Sequence, residues 1–136
     1  MTYLLDTNIC IHLMDAHPPQ VVERFRQLRV GDVLMSVVTY AELRHGVERC
    51  PGEDRVLAER ALRRFVQRVP VLPFDERAAE NYGIIAAAVR DRRRDALDRL
   101  IAAHAVSVGA VLVTNNEADF KDYPGLAVEN WVKSAV

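Results

Sequence analysis

Short apolar runs alternate with longer stretches whose apolar residues recur at helical spacing. Tyr3-Leu4-Leu5 predicts a first strand, Asp32 to Met35 a second, and Val69 to Leu72 a third. Ala110 to Val113 is wholly apolar and predicts a buried strand, and Leu126-Ala127-Val128 a last, short edge strand. Between them, Ile9 to Met14 and Val21 to Leu28 predict two short helices, and Val38 to Val47 a third. Gly52 opens a long helix with Val56, Leu57, Ala61, Leu62, Phe65 and Val66 at helical spacing. Asp75 is the expected N-cap of a helix reaching about Arg90. The next helix runs from Leu97 to Val108, stopped by Gly109. Strands alternating with helices predict an α/β fold with a central parallel sheet flanked by helices on both faces, in one domain over residues 1–136. In such sheets ligands bind beyond the carboxyl ends of the strands.

That rule directs attention to four acids. Asp6 follows the first strand at once, and Asp119 lies just past Val111-Leu112-Val113-Thr114. Glu42 is in the first turns of the helix after the second strand, and Asp98 opens the Leu97–Val108 helix. Four carboxylates from four segments are therefore expected to meet at one edge. At about 4 Å, two like charges repel by roughly 4 kcal/mol at an effective dielectric of about 20. A divalent cation removes that cost, and all-oxygen donors select Mg²⁺ or Mn²⁺ over zinc. Such ions activate water and stabilise the leaving oxygen of a phosphodiester. Each acid also has an ordinary structural reading. Asp6 can cap its helix, and Glu42 can close a capping box with Thr39. Asp98 can complement a helix dipole, and Asp119 can be a plain surface acid.

Charge and composition narrow the field. The chain has 18 basic and 19 acidic residues, a net charge of −1, which excludes a generic electrostatic nucleic-acid binder. Nucleic-acid contact must then be local. Arg90, Arg92, Arg93 and Arg94 form a basic run beside the acids that can hold phosphates or simply end a helix. Two cysteines, Cys10 and Cys50, make no disulfide framework, and with His12 and His45 they match no common zinc spacing. His104 lies on the apolar side of its helix and reads as a buried, satisfied histidine. Trp131 reads as an anchor for the C-terminal stretch, with base stacking as the alternative. The apolar opening before Asp6 is too short for a signal peptide, and Gly109 splits the uncharged stretch Leu100 to Asn116 into a helix and a strand. No membrane span and a cytoplasmic location are expected.

The motifs resemble those of the VapC toxins of the PIN-domain ribonuclease family. Leu4-Leu5-Asp6-Thr7-Asn8-Ile9 is similar to the opening signature, and Ser36 to Leu43 with Gly46-Val47 to the second motif. Leu97-Asp98-Arg99-Leu100-Ile101-Ala102-Ala103-His104-Ala105 resembles the third. Val111 to Asn116 with Asp119-Phe120 resembles the fourth, and Pro124-Gly125-Leu126 with Asn130-Trp131 the usual ending. The resemblance implies a PIN-domain-like three-layer fold and Mg²⁺- or Mn²⁺-dependent endonucleolytic cleavage of RNA. It implies a cognate VapB-type antitoxin, a homodimer, and a toxin–antitoxin hetero-oligomer. It assigns the catalytic acids to Asp6, Glu42, Asp98 and Asp119, with Asp6 and Asp98 as metal ligands. Thr7, Asn8, Thr114 and Asn116 would support them by hydrogen bonds, and Arg92, Arg93 and Arg94 are the candidates for RNA contact. Asp95 stands where the family often has a small residue, three positions from Asp98. Two other readings compete. A haloacid-dehalogenase-like phosphotransferase also puts Asp after its first strand, but wants a second Asp where this chain has Asn8, and a late lysine, nearest here to Lys121. A catalytically silent PIN-like module would bind its partner through the acids without cleaving.

Overall fold

In a computed structural model, the structure describes residues 1–89 and 96–133. The first strand, β1 (Tyr3–Leu5), leads into α1 (Thr7–Met14) and α2 (Pro19–Arg26). Then come β2 (Val33–Ser36), α3 (Val37–Arg49), α4 (Gly52–Arg68) and β3 (Val71–Leu72). α5 (Glu76–Ala88), α6 (Ala96–Val108), β4 (Val111–Val113), a 3-10 turn (Glu117–Asp119) and β5 (Val128–Glu129) complete the chain. All strand pairs are parallel, in the order β3-β2-β1-β4-β5.

Strand periodicity explains the layers. Successive side chains point to opposite faces. Tyr3 and Leu5, Val33 and Met35, and Val113 join a core with Ile9, Leu43, Leu62 and Phe65 from α1, α3 and α4. Leu4 and Leu112 face the other way, into a core with Ile85 of α5 and Ile101, Ala102 and Ala105 of α6. The sheet thus has helices on both faces, as the sequence predicts.

Several boundaries shift by a residue or more. α1 begins at Thr7 because Asp6 is its N-cap, accepting from the Ile9 amide at 2.9 Å. Asp75 caps α5 in the same way, accepting from Ala78. Gly109 ends α6 with φ at +67°, a conformation glycine adopts without strain. The third strand is shorter than expected. Val69 still closes α4 through its amide to the Phe65 carbonyl, and Pro70 has no N–H to add to a ladder. The last strand lies one to two residues later than predicted, at Val128–Glu129. Trp131 is buried edge-on against Tyr3, donates to Glu129 at 2.8 Å, and shares the Arg24 guanidinium with Tyr3. It anchors the C-terminal stretch and has no open face for a base. Among the described residues no helix is long and apolar enough to cross a membrane.

Candidate active site

The chain runs outward in sequence order from β1 to β2 and β3, then returns across to β4 on the other side of β1. The β1/β4 junction is therefore the switch point of the sheet, where parallel α/β folds open a crevice at the strand ends. The register sets Leu5 beside Met35 and beside Val113. Asp6, Ser36 and Thr114 are the next residues on three neighbouring strands, so they stand level at the carboxyl edge with Asp6 in the middle. The Asp6 amide donates to the Val113 carbonyl at 3.0 Å, and the Thr114 hydroxyl donates to the Asp6 carboxylate.

Asp6, Thr7, Asn8, Glu42, Asp98, Ile101, Asn116 and Phe120 line one cavity of about 210 Å³ at this junction. The structure thus brings together the carboxylates that follow β1, ride the second turn of α3 and open α6. Asp6 is 7% exposed. Burial pushes its carboxyl above the ordinary Asp value, and the nearby Glu42 charge adds to that. The Thr114 hydroxyl, the Ile9 amide and His12 pull the other way. Capping and site membership are therefore not alternatives for Asp6. Glu42 accepts from the Thr7 hydroxyl at 2.6 Å.

The capping-box reading of Glu42 is not realised. The cap of α3 is Ser36, which accepts from the Val38 amide at 3.1 Å, so Thr39 is already inside the helix and buried. Asp119 does not line the cavity; its carboxylate accepts from the side-chain amide of Asn116, which does. Thr114 is fully buried and also accepts from the Asn116 amide at 3.0 Å, which ties the β4 end to the same group. Asn8 and Asn116 are solvent-exposed at the rim. Sequence reasoning missed Ile101 and Phe120 as lining residues; Ile101 stands one helical turn after Asp98, a spacing that gives both the same face. Arg90, Arg92, Arg93, Arg94 and Asp95 lie outside the described residues.

The donors at this cavity are hard oxygens. Among the described residues, no group of three or more His, Cys, Asp or Glu stands in an arrangement that could hold a metal ion by itself. Mg²⁺ does not need such a cage, because it binds through one or two carboxylates together with waters and substrate oxygens. A carboxylate whose pKa is raised by burial, as that of Asp6 is, gains from a cation beside it. The residues present therefore fit an ion of that kind. They do not fit zinc: Cys10 is wholly buried, and burial followed by the Asp6 charge pushes its thiol well above the usual cysteine value.

Residues 3–126 match the PIN domain family. The tRNA(fMet)-specific endonuclease VapC of Shigella flexneri is 39% identical over 133 residues, covering 96% of this chain and 98% of that protein. Among solved structures, VapBC-1 from nontypeable Haemophilus influenzae has a TM-score of 0.88 at 37% identity, covering 98% of this chain and 100% of that one. VapBC2 from Rickettsia felis, solved bound to a DNA fragment from its promoter, has a TM-score of 0.87 at 30% identity, covering 96% and 99%. These matches set aside the haloacid-dehalogenase-like alternative. With its parallel sheet, its acids at the switch point and relatives matched over nearly their full length, the chain belongs to the PIN domain family, in the VapC ribonuclease branch of toxin–antitoxin systems.

Proposed function

We propose that the cavity at the β1/β4 junction is the catalytic centre of a divalent-metal-dependent endoribonuclease, and that its substrate is a transfer RNA. The observation that carries this reading is the meeting of Asp6, Glu42 and Asp98 in one oxygen-lined cavity. Asp6 and Asp98 would hold Mg²⁺ or Mn²⁺; bound there, the ion lowers the pKa of water and stabilises the leaving oxygen of a phosphodiester. Asp6 is oriented by Thr114 and by its own helix cap, and Glu42 by Thr7. Glu42 would take a proton from the attacking water. Asn8 and Asn116 offer amide donors to phosphate oxygens at the rim, and Asp119 orients Asn116. The tRNA assignment draws on the relative in Shigella flexneri.

The partner reading follows from the surface around the site. A groove of about 440 Å³ shares Thr7 and Glu42 with the acidic cavity and continues over Ile11, Met14, Leu43, Val47 and Leu62. Relatives solved as VapBC support a small antitoxin partner; it would lay an apolar segment in this groove and set an arginine among the acids. A second apolar strip, Val37, Val38, Ala41, Leu97 and Leu100, suits a homodimer contact. The test of the site is cleavage of purified tRNA with added Mg²⁺ or Mn²⁺. The reading requires cleavage that stops on chelation; a folded, metal-loaded protein that cuts no RNA would be the silent module instead.

A further inference from the structure

His104 is 1% exposed, yet it is a polar ring in an otherwise apolar stretch of α6. It does not line the acidic cavity. Its Nδ1 lies 2.7 Å from Ser36 Oγ. Ser36 ends β2 and caps α3, accepting from the Val38 amide. The Asp75 charge and the backbone carbonyl of Pro73, just past β3, also act on the ring, and the Phe74 ring meets it edge-on at 5.5 Å. One side chain therefore joins the helix of Asp98 to the first turn of the helix of Glu42. It does so on a strand end that stands beside Asp6 at the sheet edge.

We propose that His104 is a positioning residue for the acids. As a neutral ring protonated at Nε2, it accepts the Ser36 hydroxyl proton at Nδ1 and fixes α6, with Asp98, against α3, with Glu42. The tautomer follows from the neighbours. A carbonyl can only accept, so the nitrogen serving Pro73 carries the proton, and the other nitrogen of a neutral ring must accept. Ser36 then donates to His104 while accepting from Val38. Burial lowers the ring's pKa and so favours the neutral form, against the Asp75 charge and the Pro73 carbonyl, which both favour its protonation. An apolar side chain would fill the same space without needing partners, so a buried imidazole is kept at a cost in desolvation that its bonds must offset. What it supplies is direction: a hydrogen bond fixes helix rotation and slide more tightly than an apolar contact, and catalysis is sensitive to displacements of about 1 Å.

This inference rests on the catalytic reading of the cavity, so wild-type tRNA cleavage is the baseline. His104→Phe keeps the volume and loses both bonds. His104→Asn keeps an acceptor at the Nδ1 position, and His104→Gln reaches only the position that serves Pro73. His104→Phe and Ser36→Ala are each expected to lower kcat by about 10- to 100-fold with little change in KM, because the RNA-binding surface is untouched. The double variant should be no worse than His104→Phe alone. His104→Asn should retain most of kcat and His104→Gln should not. On wild-type protein in chelator, ¹⁵N shifts of the ring should report an unprotonated Nδ1 at neutral pH.

Unchanged kcat in a folded His104→Phe protein overturns the proposal. So does a matching change in KM, rescue by Gln as good as by Asn, or a protonated Nδ1. If His104→Phe does not fold, the Asn and Gln pair decides. If wild type cuts no RNA, the catalytic reading fails, and the ring shifts still test the joint.

Discussion

Glu42 and Glu48 belong to the same helix, α3, and live in opposite settings. Glu48 accepts from Arg44 at 3.3 Å and from the Arg55 Nε at 3.1 Å, and Glu59 bridges the same two arginines and Arg63. Hydrogen bonds from Arg55 to Glu48, and from Arg44 to Glu59, hold both carboxyls below the usual Glu value. Glu42 instead accepts from a threonine hydroxyl and shares a cavity with Asp6 and Asp98, and its charge pushes Asp6 further up. Arginine was available on the same helix, since Arg44 follows Glu42 closely, but it turns towards Glu48 and Glu59. The fold pairs Glu48 and Glu59 with arginines on the outer face and brings Asp6, Glu42 and Asp98 into one cavity at the strand ends. A site that is costly to the folded chain alone is what a cation and a polyanionic substrate would recover.

The largest way to break this comparison is to neutralise an acid of the cavity. Asp6→Asn should lower RNA cleavage by roughly 10³-fold or more, and adding Glu42→Gln should cost little beyond that, because members of one catalytic set are not additive. Full activity in Asp6→Asn, with the protein folded, would sink the assignment.

Metal comes next. Saturating Mg²⁺ or Mn²⁺ should raise Tm, by linkage about 2.7 kcal/mol at 100 times Kd, and Asp6→Asn should abolish most of the shift. Calorimetry with and without chelator reads both.

A smaller effect has the opposite sign to activity. The folded-state pKa of Asp6 is raised, so in chelator its ionised form weighs against the fold above that pKa. Asn caps a helix as well as Asp does. Asp6→Asn should therefore raise Tm at neutral pH, with the gain shrinking as pH falls through the folded pKa towards the unfolded value near 3.8. A loss of Tm at pH 7 would mean that burial of this carboxylate is fully compensated. Smallest is the outer network: Glu48→Gln should lower Tm slightly, less so in high salt, and leave cleavage unchanged.

Much of this was legible in the sequence. Apolar runs at β1, β2 and β4, alternating with helices, predict the parallel sheet with helices on both faces, and the placement of Asp6, Glu42 and Asp98 at strand or helix ends points to one edge. What was not legible depends on register and rotation. The Thr7–Glu42 hydrogen bond joins residues far apart in the chain, and the His104–Ser36 joint exists only because β2 ends level with β1 while α6 turns its imidazole inward. Asp119 is expected to complete the acidic pocket with Glu42, yet at the end of the 3-10 turn its carboxylate accepts from Asn116 and does not line the cavity. Thr39 at capping spacing from Glu42 misled because Ser36 takes the cap.

The most direct test sets wild type, Asp98→Ala and Asp95→Ala side by side on tRNA with Mg²⁺ or Mn²⁺. The account predicts metal-dependent cleavage by wild type and by Asp95→Ala, and none by Asp98→Ala. Cleavage by Asp98→Ala, or cleavage by wild type that persists in excess chelator with metal absent by elemental analysis, would contradict it.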